Sequence, residues 1–387
     1  MGGLSCWAVA VGMVISGQYF GWNQGFVYAH LPTMLLALFV VMLFYAGFMR
    51  LLLMMSAAMP DAGGIMLYWR QLKRPWLARC VGVAALSEYF FAFTAIAKAT
   101  AVYCHVVAPA LSIEVLSFFI LAVFCLINMA GVKQALCVEV VATLLALLGL
   151  WMFNVASVYP GEVQQWYAQT TRLSWSGLWL AIPYTLWLFL GIEGIVLSAA
   201  EVKVPQRTLP RAVAWAMLVL AVTALMTVVQ VGLLLPEPMR STAQPITVAL
   251  QHRGHIGHWL LPAVSMLGLC GLCASLNGLL IAASRQVAAL WYRQAGIATA
   301  AASAEQWRRV FLFLGLLGVV ALAFLPAHLL LLCSVLSVLV LYAAGVAAWF
   351  ACALSGRIRS GIVSWGLALS VSLLGLLAVG SVLTALL

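Results

Sequence analysis

Two short segments place polar, charged or conformationally free residues inside otherwise apolar stretches of the chain. They are VISGQYFGWNQG at 14–25 and LFLGIEGIVLS at 188–198, and the residues of interest are Ser16, Gly17, Gln18, Gly191 and Glu193. Where a helix is interrupted, one half ends in carbonyl groups and the next begins with N–H groups that lack partners within the helix. Carbonyl groups accept hydrogen bonds from an ammonium group, and N–H groups donate to a carboxylate or hydroxyl. The two segments therefore predict a site for a small amine or zwitterion.

Three glutamates stand within or beside apolar stretches, where a carboxylate is costly and is a candidate for function. Glu193 is expected to serve as counter-charge for a substrate amine, as proton carrier, or as a brace for the unwound backbone. Glu88 is expected to bind an ammonium group or a proton, or else to pair with Arg50 or Lys98. Glu139 lies nearer the end of its helix and is expected to pair with a basic residue of a loop.

Several other residues are candidates because their chemistry suits a buried cation or its coupling ion. Burial penalises the charged form of a lysine, so Lys98 could switch protonation during coupling, or it could reach the membrane surface or pair inside the bundle. The amide of Gln18 both donates and accepts hydrogen bonds. Trp187 and Phe189 are expected to cover a bound cation with their ring faces.

Two polar residues in the apolar run GLCASLNGLL could contribute to a site for a small ion. Ser275 and Asn277 are expected to face the first helix and to contribute to the substrate site. A sodium site at that position commonly needs paired hydroxyls, whereas this run offers one hydroxyl and one amide. The sequence therefore favours a proton over sodium, and it indicates no resident cofactor or metal.

The elements that position these residues are membrane helices. The chain has 387 residues, of which 66% are hydrophobic and only 7% charged, far below the charged share of soluble domains. Runs of about 20 apolar residues, each enough to cross a bilayer, recur from end to end. We expect an all-α polytopic membrane protein with about eleven helices, near 4–28, 32–58, 77–106, 112–130, 135–158, 178–200, 211–235, 258–292, 307–325, 328–353 and 363–386.

The distribution of basic residues predicts the orientation of these helices. With the N-terminus in the cytoplasm, 14 of the 19 lysines and arginines fall in cytoplasmic loops and 3 in loops on the opposite side. Such a bias is the usual orientation signal of membrane proteins. We expect a protein of the cell's inner membrane whose net charge of +10 reflects orientation, with the lipid bilayer and not nucleic acid as its partner.

The two interrupted helices are the first and the sixth, so they are five helices apart. This spacing is typical of a transporter built from two inverted repeats of five helices, each beginning with a discontinuous helix. We expect a single transmembrane domain over 1–387. Its repeats would span about 4–158 and 178–353, followed by an extra helix at about 363–386.

The order and sequence of the motifs resemble a known family over roughly residues 5–296. VISGQYFGWNQG resembles the first-helix signature of the ethanolamine permease branch of the amino acid–polyamine–organocation superfamily. The segment 181–212 is similar to helix 6 and the following cytoplasmic loop of that superfamily, where Glu201, Pro205, Arg207 and Pro210 match a Glu-x-x-x-Pro-x-Arg-x-x-Pro pattern. MPDAGGIMLYWRQL, ALSEYFFAFTAIAKAT and GLCASLNGLLIAASRQVAAL look like the loop after helix 2, helix 3 and helix 8.

The resemblance implies a leucine-transporter-like fold and secondary transport of a small primary amine, ethanolamine first, by alternating access. A general amino acid permease of the same fold is the first alternative. A transport-deficient sensor or scaffold is the second, because Met54 stands where an acidic residue is expected before the loop. A channel would need a continuous polar pore, and an enzyme would need a metal or nucleophile constellation. Neither pattern is visible in the sequence.

Overall fold

The computed structural model of the chain describes residues 1–59, 63–107, 109–156, 173–202, 204–234, 240–291, 303–358 and 360–386. Within these ranges all regular elements are helices. The α-helices are α1 (Gly3–Tyr19), α2 (Leu31–Ala58), α3 (Gly64–Gln71), α4 (Pro75–Val107), α5 (Ile113–Ala130), α6 (Val132–Ala156), α7 (Trp175–Leu186), α8 (Pro205–Leu234), α9 (Pro245–Gln251), α10 (Gly254–Trp291), α11 (Ala304–Phe324), α12 (Ala327–Leu354) and α13 (Ile362–Leu386). Two 3-10 helices, Trp22–Val27 and Ile192–Glu201, follow α1 and α7.

Ten segments of the described chain are long and apolar enough to cross a membrane. They correspond to α1 with its 3-10 helix, α2, α4, α5, α6, α8, α10, α11, α12 and α13. The eleventh expected span, 178–200, is the interrupted unit formed by α7 and the second 3-10 helix. With 33 and 38 residues, α4 and α10 exceed the roughly 20 that a bilayer requires, so both tilt or extend beyond it.

The first interruption lies later in the chain than the sequence suggested. Ser16, Gly17 and Gln18 form the last turns of α1, which ends at Tyr19, whereas the expected break lay at those three residues. The chain turns instead at Gly21, whose φ of +94° is in a region that side chains with a Cβ avoid. The polar residue Ser16 does not require a break in α1, because its N–H donates a hydrogen bond to Ser275 on α10.

The second interruption falls where the sequence predicted it. α7 ends at Leu186, and the residues that follow pass through Gly191, with a φ of +97°, into the second 3-10 helix. Pro183 within α7 weakens the helix just before this point, because a proline lacks the N–H that a continuing helix uses. Glu193 is thereby placed in the first turn after the break.

The two interruptions pack directly against each other at the centre of the bundle. A Cβ added to Gly17 would collide with the backbone carbonyl of Trp187, and one added to Gly194 would lie 3.1 Å from Met13 Sδ. Around them, α1 contacts α6, α8 and α10, while α4 packs between α10 and α12. Because Gly17 of α1 has no side chain, the two irregular backbones can pack against each other. Both are then buried in protein and not exposed to lipid, as an irregular backbone at membrane depth must be.

The cytoplasmic loop expected over 201–211 is shorter than predicted. α8 begins at Pro205, so Arg207 and Pro210 lie in its first two turns. Proline is favoured at the first helical position because its missing N–H has no partner there in any case. Glu201 ends the second 3-10 helix, and its side chain lies outside the described residues. Residues 60–62 and 157–172, which belong to two of the expected connections, also lie outside them.

Candidate functional site

Glu88 of α4 and Glu193 of the second 3-10 helix form a buried pair of carboxyl groups. Their exposed fractions are 0% and 1%, the two side chains are close enough to interact, and neither oxygen of Glu88 has a hydrogen-bond partner among the described residues. Two adjacent negative charges away from water repel strongly, so such a pair favours states that keep at least one proton. A pair that holds one proton would present one negative charge and one hydrogen-bond donor to a ligand.

Two tyrosines from other helices extend this pair into a polar chain. The hydroxyl of Tyr342 in α12 donates to Glu193 Oε2 at 3.1 Å, and it lies 2.8 Å from the hydroxyl of Tyr45 in α2. Tyr45 in turn donates to the carbonyl of Leu186, the last residue of α7, at 3.2 Å. The Phe189 ring packs 5.4 Å from the Tyr45 ring. The carboxyl group of Glu193 is thus linked through Tyr342 of α12 and Tyr45 of α2 to the end of α7.

The sequence did not identify Tyr45 or Tyr342 as site residues. The available signal was a single tyrosine in each of two long apolar helices. That signal is weak, because a tyrosine in such a position usually serves packing, and only the arrangement of the helices shows which tyrosine hydroxyl meets a carboxylate.

The end of α1 is anchored by polar contacts to α10 and α8. The Ser16 N–H donates to Ser275 Oγ at 2.9 Å, and this hydroxyl donates to the carbonyl of Gly12 at 2.6 Å. Gln18 Nε2 donates to the carbonyl of Leu220 at 2.9 Å. Gln18 Oε1 is buried and has no hydrogen-bond partner among the described residues. The amide therefore keeps one acceptor available beside the break.

A cavity of about 570 Å³ reaches the first interruption between α1, α4, α7 and α12. Phe20 and Trp187 line it and meet edge to face at 5.7 Å. A Cβ on Gly21 would lie 2.8 Å from the Trp187 ring, so the indole rests on the positive-φ glycine. The carboxyl groups of Glu88 and Glu193 are absent from the described lining, and the two rings form the end of the cavity on the side of the break.

Lys98 lies in the wall of this cavity and not beside Glu88. Its Nζ donates to the carbonyl of Leu325 at 3.2 Å. The alternative in which Glu88 pairs with Lys98 is therefore wrong, since neither oxygen of Glu88 has a hydrogen-bond partner among the described residues. Lys98 places a basic group in the cavity wall, whereas the carboxyl pair is not part of the described lining.

Asn277 belongs to a separate cluster that contradicts the expectation for Glu139. Glu139 of α6 is fully buried, and its Oε2 accepts a hydrogen bond from Asn277 Nδ2 at 2.8 Å. The predicted pairing of Glu139 with a basic loop residue is wrong. Asn277 also donates to the carbonyl of Ala135 and accepts from Asn128 Nδ2. Ser275 and Asn277 are two residues apart, about 200° around a helix, so they face α1 and α6 respectively.

Comparison with known proteins gives a family and a fold. A family model described as amino acid permease matches residues 1–386. An uncharacterized transporter of Rhizobium meliloti (strain 1021) is 27% identical over 296 residues, covering 74% of this chain and 63% of that protein. The branched-chain amino acid permease BcaP of Lactococcus lactis subsp. cremoris (strain MG1363) is 25% identical over 297 residues, covering 70% and 61%. The aligned part thus spans less than two thirds of both relatives.

Solved transporter structures share the architecture over nearly the whole chain. MhsT in complex with L-phenylalanine superposes with a TM-score of 0.70 at 12% identity, covering 99% of this chain and 98% of that one. MHP1, a nucleobase-cation-symport-1 family transporter in a closed conformation with bromovinylhydantoin bound, gives a TM-score of 0.62 at 14% identity over 100% and 90% of the two chains. The expected leucine-transporter-like fold with broken first and sixth helices is confirmed.

Proposed function

The chain belongs to the amino acid permease family, and we propose that it is a secondary transporter for a small primary amine, ethanolamine first, working by alternating access. Membership of a permease family places the chain among transporters and not among enzymes. The observation that carries the substrate proposal is the buried carboxyl pair formed by Glu88 and Glu193 beside the second interruption.

The chemistry of the pair suits a primary ammonium group. Such a group donates three hydrogen bonds, and carboxylates accept without donating once they are ionised. Tyr342 already holds one oxygen of Glu193, which leaves the remaining oxygens of the pair for the ligand. The free acceptor on Gln18 suits the hydroxyl of an amino alcohol. Arrival of a cation favours the ionised pair, so amine binding releases a proton.

The packing of the two interruptions supports an alternating-access cycle. Backbone contact at Gly17 and Trp187 joins two half-helices that can separate without breaking a continuous helix. The repeats would span about 4–158 and 178–353, and rocking of one bundle against the rest would expose the site to each side in turn. The bias of 14 to 3 basic loop residues supports a cytoplasmic N-terminus in the inner membrane.

Transport of amino acids is a second candidate, and Lys98 is the observation that favours it. A cation in the wall of the cavity attracts a carboxylate and repels a free amine, and one aligned relative is described as a branched-chain amino acid permease. An amino acid would place its carboxylate toward the cavity and its ammonium group on the carboxyl pair. A transport-deficient sensor, the further alternative, would bind either ligand without moving it.

Uptake into proteoliposomes tests these alternatives. The full chain would be reconstituted and given labelled ethanolamine or labelled leucine, with unlabelled ethanolamine, methylamine, leucine, phenylalanine and arginine as competitors. We expect ethanolamine uptake and counterflow, strongest competition by ethanolamine, and weaker competition by methylamine, which lacks the hydroxyl. Leucine uptake without ethanolamine uptake would show that the substrate is an amino acid and not a simple amine. Binding of either ligand with no flux in liposomes would identify a sensor.

A further inference from the structure

Glu139 is a second buried carboxyl group that the proposed substrate site does not use. It lies on α6, with an exposed fraction of 0%, where α6 packs against α1 and α10. Only one of its two oxygens is satisfied, since Oε2 accepts from Asn277 while Oε1 has no hydrogen-bond partner among the described residues. A buried carboxyl oxygen without a partner is costly, so its environment indicates how the group is used.

The unpartnered oxygen lies against two glycines. A Cβ on Gly12 of α1 would collide with Glu139 Oε1 and would lie 2.6 Å from Thr143 Oγ1. A Cβ on Gly278 of α10 would lie 3.0 Å from the same Oε1. Neither position tolerates a larger residue, so the backbones of α1 and α10 pack directly against Oε1. A proton is the ligand that fits.

Each element that packs against Glu139 meets it with neutral groups. α1 contributes Gly12, α10 contributes Gly278 and the Asn277 amide, and α6 itself contributes Thr143. An ionised Oε1 would therefore lack both a donor and a counter-charge among the described residues, whereas a protonated Oε1 carries no charge that needs one.

We propose that Glu139 is a proton-binding site of this protein, distinct from the Glu88–Glu193 pair, that is loaded while α1 packs on α6 and α10. The proton is released to the cytoplasm when the first half of α1 moves away. The place of this proton in a transport cycle rests on the proposed function. When Gly12 moves away with α1, Oε1 becomes accessible to water, and hydration stabilises the ionised carboxylate.

Two contacts link this site to the substrate site. Thr143 Oγ1 donates to the carbonyl of Ala8, and Ser275 Oγ joins the carbonyl of Gly12 to the N–H of Ser16 at the end of α1. The segment that covers Glu139 is therefore the segment that leads into the first interruption. On the proposed function the carboxyl pair exchanges its proton for the amine, so a proton carried together with the substrate would need a separate carboxyl group.

Proton movement with the substrate provides the first test. Wild type, Glu139→Gln and a control Glu114→Gln, which alters an exposed glutamate at the start of α5, would be reconstituted with a pH-sensitive dye inside the liposomes. Glu139→Gln is expected to keep ethanolamine binding and counterflow but to lose accumulation driven by a pH gradient and the accompanying dye signal. Wild-type proton movement in Glu139→Gln would overturn the proposal.

A substrate-independent test separates this proposal from the transport function. Infrared spectra recorded over a pH titration report the band of each protonated carboxyl group, and Glu139→Gln is expected to remove one titrating band. Asn277→Leu, which removes the amide that donates to Oε2 and so stabilises the ionised form, is expected to move the midpoint of that band to higher pH. An unchanged set of bands in Glu139→Gln would refute proton binding at Glu139. Failure of all amine transport with the band present would refute only the transport function.

Discussion

The carboxyl pair makes a quantitative prediction for substrate binding. Glu193→Gln and Glu88→Gln each keep the size of the side chain but replace a potential negative charge by a neutral amide. In the structure the two side chains lie close enough to interact, and Tyr342 donates to one oxygen of Glu193. On the proposed function a cationic ligand gains its counter-charge from this pair, and either substitution removes part of it.

The size of the effect follows from the strength of a charge-assisted hydrogen bond. Such a bond contributes about 1.5–3 kcal/mol, and every 1.4 kcal/mol is about tenfold in the dissociation constant. Glu193→Gln is expected to raise the Kd for ethanolamine by about 10- to 150-fold, since it loses one such bond. Tyr342→Phe removes a neutral donor to Glu193, and the expected increase is about fivefold, corresponding to about 1 kcal/mol.

Stability separates a binding role from a structural one. An amide occupies about the same space as the protonated carboxyl group that it replaces and is likewise uncharged, so neither variant is expected to lower the melting temperature of the purified protein. A brace for the unwound backbone would instead lose stability when Glu193 is changed. Glu305→Gln, at an exposed position on α11 paired only with an exposed arginine, serves as the matched control for both measurements.

Binding of labelled ethanolamine to purified protein measures the predicted change directly. The affinity of the wild type is also expected to rise with pH, because the ammonium group competes with the proton held by the pair. Glu88→Gln, with one carboxyl group left, is expected to show a flatter pH dependence. Wild-type affinity and pH dependence in both glutamine variants would refute the assignment of the amine to this pair.

Three further predictions concern the interruptions and the cavity. Gly17→Ala places a methyl group onto the Trp187 carbonyl. It is expected to lower the free energy of unfolding by about 1–3 kcal/mol and to abolish uptake. Gly366→Ala, whose Cβ meets open space, serves as the control. Gly191→Ala forces a positive φ on a residue with a Cβ and is expected to cost about 1–2 kcal/mol in a denaturant titration. Lys98→Met removes the cation from the cavity wall and is expected to strengthen amine uptake at low salt; weaker uptake of an amino acid would instead favour the carboxylate-bearing substrate.

Much of the fold could be predicted from local sequence features. Hydropathy predicts the apolar stretches, and backbone chemistry predicts the second interruption near Gly191. The bias of basic residues predicts the orientation. All three features depend on residues that are neighbours in the chain. The first break was misplaced by a few residues, because Ser16 and Gln18 are polar but still helical. Their polarity is satisfied by α10 and α8, and a one-dimensional pattern does not reveal such partners.

The candidate site shows the same difference between what the sequence predicts and what only the structure decides. The sequence by itself determined that Glu88 and Glu193 lie where a charge is costly, since each sits in an apolar run. Only the tertiary structure decided that these two carboxyl groups meet each other, that Lys98 lies apart from them, and that Glu139 faces Asn277. Burial within a membrane helix is set by the residues of that helix, whereas the partner of a buried group is set by how helices far apart in sequence rotate and pack together.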